Sequence, residues 1–169
     1  GSCTKGGLKP MMDNADITIF NQIIGADRRE VFVPTMISGA FWYDVRSMSQ
    51  SDRHREGSSR VIIRIPYDAE IQDNRIYLPE EQFKRLNREE LGKYWTIQKN
   101  AYVLKRHIVQ EDKWLFDPFS FRYGKITEFI PDEINRLRTE EEDFFTVVEY
   151  ADNTLRGSDR MKHWRIGGV

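Results

Sequence analysis

The fold of this chain is decided by two β-forming stretches, VFVPTMISGAFWYDV at residues 31–45 and RVIIRIPY at residues 60–67. In the second, apolar side chains repeat at every other residue from Val61 to Ile65, which predicts a strand over 61–66. The first restarts its alternation after Gly39, which predicts one long strand bent at the glycine. Because only the polar segment RSMSQSDRHREGSS separates the two stretches, we expect them to pair as a hairpin.

The connection between these strands is a long basic loop, residues 46–60, which we call the arm. It carries Arg46, Arg53, Arg55 and Arg60 among five serines. It is too polar to fold alone and exceeds the two to five residues of most hairpin loops, so we expect a flexible segment. Two interpretations stay open: a solvated surface loop, or an arm that orders against a partner, since arginine pairs well with carboxylates and phosphates.

Length and composition are those of one soluble globular domain. The charges nearly balance, 26 Lys and Arg against 27 Asp and Glu, which argues against a protein built mainly to coat nucleic acid. No apolar run reaches the roughly 18 residues of a membrane helix. We expect residues 1–12 to be a disordered vector-derived remnant and residues 13–169 a single β-rich domain. The one cysteine, Cys3, lies in that remnant, so no disulfide framework is predicted.

The rest of the chain adds mostly strands. A helix is predicted to begin at Pro79 and end near Gly92, with Asn87 as a candidate break, and a second, short helix to begin at Pro131. A second hairpin is predicted at residues 94–106, and the aromatic segment 114–123 is expected to cap the core. Further strands are predicted at 16–20, 125–130, 144–150 and 161–166, with a turn at 25–27. The sequence therefore predicts a mainly β (α+β) fold: an antiparallel β-barrel or sandwich with one main helix and a long hairpin loop.

Catalytic signals are weak. His54, His107 and His163 do not stand at metal-ligand spacing with one another or with cysteine, and nucleophile-elbow and phosphate-loop motifs are absent. No catalytic residue, metal site or cofactor is predicted, and an enzyme is disfavoured. A pocket that brings His107 or His163 together with two carboxylates would revive that class.

The C-terminal stretch forms a second basic patch with Trp164 in it; its members are Arg156, Arg160, Lys162 and Arg165. Interleaved cations and an aromatic ring are typical of single-strand nucleic-acid binding. The favoured interpretation is a terminal hairpin with solvated arginines and with Trp164 and Ile166 in the core.

The order of segments resembles a family of small, uncharacterised proteins encoded among the structural genes of tailed phages and prophages of Firmicutes. The resemblance runs from about Asn14 to Gly168. Its segments are NADITIFN, VPTMISGAFWYD, SSRVIIRIP, YWTIQKNAYVLKR and NTLRGSDRMKHWRIGG, and its most specific motifs are DITIFN at 16–21 and RGSDRMKHWRIGG at 156–168.

This resemblance implies a non-enzymatic virion protein, similar to head–tail connectors of the head-closure type or to tail-completion proteins. Such a subunit would be made in the host cytoplasm and would assemble into a neck or tail ring with itself and with portal-associated proteins. Arg46, Arg53, Arg55 and Arg60 would then contact a neighbouring subunit or the passing DNA. The alternative is a nucleic-acid-binding β-barrel that uses the arm and the C-terminal arginines.

Overall fold

The computed structural model describes residues 12–24, 28–45, 59–113, 121–122, 125–126, 128–155, 157 and 161–169. The predicted turn at 25–27, the predicted remnant up to residue 11, most of the arm and most of the aromatic segment lie outside these ranges. The strands are Met12–Ile24 (β1), Glu30–Asp44 (β2), Val61–Pro66 (β3), Glu70–Ile71 (β4), Ile76–Tyr77 (β5), Tyr94–Trp95 (β6), Tyr102–Leu104 (β7), Phe121–Arg122 (β8), Lys125–Ile126 (β9), Phe144–Asp152 (β10) and His163–Gly168 (β11). The α-helices are Glu80–Phe83 (α1) and Pro131–Glu140 (α2), and 3₁₀-helices span Gln72–Asn74, Arg88–Lys93 and Gln110–Asp112.

Six strands close into an antiparallel barrel. The pairing runs β1, β7, β10, β11, β3, β2 and back to β1, with β4 added on the outer edge of β2. The mainly β fold is therefore confirmed, and of the two predicted architectures the closed barrel is the one observed. Closure pairs the first and last strands of the ring with each other, which reduces the free edge available for strand addition; the β1–β7 seam is short and covers Thr18–Phe20 of β1.

The predicted hairpin is confirmed as β2 and β3. Phe41 pairs with Arg64 and Asp44 with Val61. At Gly39, β2 has a bulge with a positive φ of 90°: Ala15 pairs with Ala40 and Ile17 with Ile37, so two β2 residues face one β1 residue. The bend therefore falls where the sequence predicted it.

The barrel interior and α2 give the protein two hydrophobic cores. Alternate residues of β1 point to opposite sides, so that Ile19 packs inside the barrel and Phe20 packs outside it, under α2. The Phe20 ring meets the Phe129 ring edge-on at 5.4 Å between centroids. Ile134 and Leu137 are the buried apolar residues of α2.

The predicted hairpin at 94–106 is wrong. β6 pairs in parallel with β5, whereas β7 pairs with β1 and β10. A tertiary contact explains this, because a side-chain amide of β1 takes the backbone groups of Thr96 that a hairpin would use. Asn21 Nδ2 donates to the Thr96 oxygen (2.6 Å) and Oδ1 accepts from Thr96 N (3.2 Å). Gln98 bonds the backbone of Gln22 in the same two-sided way (2.7 and 3.1 Å).

The predicted helix from Pro79 is much shorter than expected. α1 spans four residues, and Asn87 then begins a separate 3₁₀-helix by accepting a hydrogen bond from Glu90 N at 3.2 Å. The break at Asn87 is confirmed. The main helix is instead α2, at the site of the predicted short helix, where Pro131 begins the helix.

Candidate functional site

An apolar groove of about 580 Å³ lies between the end of β1 and the segment that carries α1. Its apolar lining consists of Ile23, Ile24, Phe83, Leu86 and Leu91. The floor is buried, with Phe83 only 2% exposed, while Ile24 stands on the wall with 67% of its surface exposed. A large aliphatic side chain left this open beside a concave surface is typical of a binding surface.

The rim of the groove is charged. Lys84, Lys99 and Glu80 all line it. Glu80 accepts a hydrogen bond from the Tyr150 hydroxyl (2.9 Å), and burial together with this bond raises the pKa of Tyr150, so the hydroxyl remains a donor at neutral pH. Lys84 pairs with Glu81 at 3.3 Å on the exposed helix surface. Lys99 takes part in none of the ion pairs found among the described residues, so its charge is available at the rim.

A second surface lies beside the β2 bulge, around an open concavity of about 720 Å³. We call it the acidic face and define it by three carboxylates and two aromatic rings: Asp16, Asp68, Glu70, Phe41 and Tyr67. The carboxylates and Phe41 line the concavity, and Tyr67 directly precedes Asp68. No ion pair found in the described part of the chain uses Asp16, Asp68 or Glu70.

The two rings of the acidic face are exposed, and the Tyr67 ring is supported by contacts behind it. Phe41 is 38% exposed and Tyr67 56% exposed. The Tyr67 ring stacks on Trp164 at 6.2 Å with 26° between the ring planes, and the ammonium group of Lys162 lies 5.7 Å from its centroid. Tyr67 is therefore a preorganised aromatic contact rather than a freely rotating side chain.

His107 contacts residues beside the β2 bulge. Its geometry shows whether this histidine is placed to act as a general base. Its Nε2 lies 3.1 Å from the carbonyl oxygen of Ile37 and 3.4 Å from Oγ of Ser38. A carbonyl only accepts, so Nε2 carries the proton and is not a free base for the Ser38 hydroxyl. This geometry differs from that of a nucleophile and its general base.

The arm is held at both of its ends. Val45 N donates to the oxygen of Arg60 (2.9 Å), and Arg60 N donates to the oxygen of Gly168 (2.7 Å). Ser59 is buried and Arg60 is exposed, so residues 59 and 60 belong to the barrel end. Of the predicted partner-binding residues, Arg60 stands at the base of the arm; Arg46, Arg53 and Arg55 lie outside the described residues.

Only two members of the second basic patch, Lys162 and Arg165, lie within the described residues, and both contact other side chains. Arg165 donates to Glu149 at 2.7 Å, and Lys162 lies over Tyr67. Trp164 is 6% exposed and Ile166 fully buried, as the favoured interpretation predicted. Arg156 and Arg160 lie outside the described residues. With its ring in the core, Trp164 presents no face on which a base could stack.

Two further findings concern the described residues alone. Among them, no group of three or more His, Cys, Asp or Glu side chains is arranged to hold a metal ion. The same part of the chain contains no helix with the length and apolarity to span a membrane.

Comparison with known proteins gives a family. Residues 11–169 match the model of a family of unknown function, DUF6751. The chain belongs to the DUF6751 family. No curated protein and no solved structure matches it. Membership of DUF6751 supplies no activity, so function has to be argued from the surfaces described above.

Sequence reasoning missed both surfaces of this DUF6751 protein. The groove combines β1, α1, the following 3₁₀-helix and the Gln98–Lys99 turn, which are up to 77 positions apart between Gln22 and Lys99. One signal was available: Ile23 and Ile24 are adjacent apolar residues at a strand end, so both faces of that end are apolar. The acidic face gave no local signal, because Asp16 and Asp68 are brought together only when β1 and the β3–β4 segment pair with β2.

Proposed function

We propose that this protein is a phage virion structural subunit, of head–tail connector or head-closure type, that assembles into a neck or tail ring. The observation that carries the proposal is the fixed base of the arm. Val45, Arg60 and Gly168 tie three strand ends together by backbone hydrogen bonds, so a rigid barrel presents an arginine-rich insertion at one end. A subunit of this kind can hold a neighbour with the arm while its barrel keeps its shape.

The closed barrel supports association through side chains. Since the six strands already pair into a closed ring, we expect a second copy or another neck protein to bind mainly through side-chain surfaces such as the groove and the acidic face. Both present exposed apolar side chains together with charges. In this proposal the protein has no enzymatic activity, is made in the host cytoplasm and resides in the virion, next to portal-associated or tail proteins.

The alternative is a nucleic-acid-binding module. This function requires the arm and the C-terminal arginines to contact phosphate groups. Arg165, however, donates a hydrogen bond to Glu149, and the Trp164 ring is buried. A salt titration separates the two functions, because phosphate contacts weaken steeply as salt rises. Tight DNA binding at low salt that falls steeply with salt would favour the module over the ring subunit.

The proposed function is tested in particles. Purified particles of the phage or prophage that encodes the gene should contain this protein in a fixed ratio to the portal protein, measured by quantitative mass spectrometry. Its gene should lie between capsid or portal genes and tail genes. In solution, protease cleavage within residues 46–58 should be early in the monomer and suppressed in the assembled state. Absence from particles, with the gene outside such a cluster, contradicts the proposal.

A further inference from the structure

The groove and the acidic face complement each other. The groove is apolar with Lys84 and Lys99 on its rim, while the acidic face offers two exposed aromatic rings beside three carboxylates. Glu80 also lines the groove and keeps its charge while it accepts the Tyr150 hydrogen bond, and Glu81 pairs with Lys84 at 3.3 Å. The Lys84–Glu81 pair is exposed and therefore weak, so Lys84 can exchange it for a carboxylate of a partner. Arg64, which pairs with Phe41 across β2 and β3, and Lys162, which lies over the Tyr67 ring, reduce the negative charge of the acidic face, and the three carboxylates still outnumber these two cations.

The two surfaces lie at opposite ends of the same strand. Asp16 stands in the first half of β1 and Ile24 is its last residue. Eight residues of strand span about 26 Å, so one molecule cannot close its own acidic face onto its own groove. An acidic face that contacts this groove therefore has to belong to another molecule.

We infer that the groove of one copy binds the acidic face of the next copy in a head-to-tail contact. Tyr67 or Phe41 enters the apolar groove, and Asp68 and Glu70 pair with Lys84 and Lys99. Each copy then uses two different surfaces, which is the heterologous arrangement that builds rings or helical filaments. This inference rests on the proposed function, because it supplies the contact by which ring subunits associate.

The test exchanges the charges of the two surfaces. One variant carries Lys84→Glu and Lys99→Glu in the groove, and the other carries Asp68→Lys and Glu70→Lys on the acidic face. Light scattering and sedimentation of the full chain measure association over a wide concentration range. Each variant alone should associate at least ~10-fold more weakly than the wild type, because like charges then face each other.

A mixture of the two variants gives the decisive result. In it, the reversed groove meets the reversed face and the natural groove meets the natural face, so alternating copies should regain wild-type association. The control variant, Glu111→Lys with Glu142→Lys, changes two exposed carboxylates elsewhere and should associate like the wild type. Circular dichroism and the unfolding midpoint show that each variant is folded.

Other outcomes overturn the inference. A mixture that stays monomeric, reversed variants that associate normally, or a wild type that is monomeric at every concentration each exclude this contact. The proposed function is judged separately by the presence of the protein in particles. A protein found in particles with a monomeric wild type in solution would keep the virion role and remove the head-to-tail contact.

Discussion

Lys113 and Glu133 form an ion pair inside the protein. Lys113 Nζ lies 2.5 Å from Glu133 Oε1, and the two side chains are 4% and 0% exposed. The ammonium group also donates to the Glu128 carbonyl oxygen (2.6 Å) and lies over the Phe129 ring, while Glu133 accepts from Ile130 N (3.0 Å). The pair therefore ties the segment after β7 to the first turn of α2.

Breaking this pair from one side should destabilise the protein strongly. Lys113→Met leaves a buried carboxylate without its partner, so we expect the free energy of unfolding to fall by about 3–5 kcal/mol. Adding Glu133→Leu should cost little more, because the unpaired charge is then removed. Urea unfolding followed by tryptophan fluorescence measures both variants. The exposed pair Lys84–Glu81 is the matched control, where Lys84→Met should change stability by less than about 1 kcal/mol. Additive losses in the double variant would contradict a coupled pair.

The carboxylate of Asp112, which precedes Lys113 in the chain, makes the free energy of unfolding depend on pH in the acidic range. Burial disfavours the charged form of Asp112, but two hydrogen bonds from Arg106 (2.9 Å each) and one from Val109 N (2.8 Å) outweigh it. They hold the pKa of Asp112 below its ordinary value of 3.8. The unfolded chain therefore binds the proton more readily, so this stabilisation is complete above the unfolded pKa and is lost as pH falls through the folded one.

The corresponding prediction is a flatter acid profile in Asp112→Asn. The free energy of unfolding, measured by urea titration from about pH 6 to about pH 3, should fall less steeply than in the wild type. Arg106→Met should flatten the profile in the same way, because the carboxylate loses the donors that keep it charged. Identical slopes in all three proteins would show that Asp112 does not contribute to acid unfolding.

Gly39, at the β2 bulge, is a position where substitution should destabilise the protein. Gly39 has a φ of +90°, and a Cβ built there would meet no atom within 4 Å. Its substitution cost is therefore a backbone cost alone, and Gly39→Ala should lower the unfolding free energy by about 1–3 kcal/mol. Gly92 has equally open space without a positive φ, so Gly92→Ala is the matched control and should be neutral or slightly stabilising. Equal effects at both glycines would mean that the bulge tolerates other residues.

The parts of the fold that sequence predicted are those set by local alternation. β2, β3 and β10 follow a period of two between clear turn signals, and Gly39 marks a bend because other residues resist its φ. The prediction of a hairpin at 94–106 failed for a tertiary reason, since the Asn21 side chain takes the backbone groups of Thr96, and the Gln98 side chain bonds to β1. The groove and the acidic face were missed for a similar reason, because their residues are distant in sequence and meet only in the folded chain.

The arm should be separable from the barrel. Replacing residues 46–58 by Asn-Gly keeps the buried Ser59 and the backbone bonds of Arg60 to Val45 and Gly168, and leaves a three-residue connection of the length common in hairpins. The shorter loop has a smaller closure entropy, so we expect the free energy of unfolding to rise by about 1–2 kcal/mol. A matched variant with a Gly/Ser linker of the natural length should keep wild-type stability, which separates loop length from sequence. If the arm serves assembly, both variants should fold and neither should enter particles. A variant that does not fold would show instead that the arm is needed for the stability of the barrel.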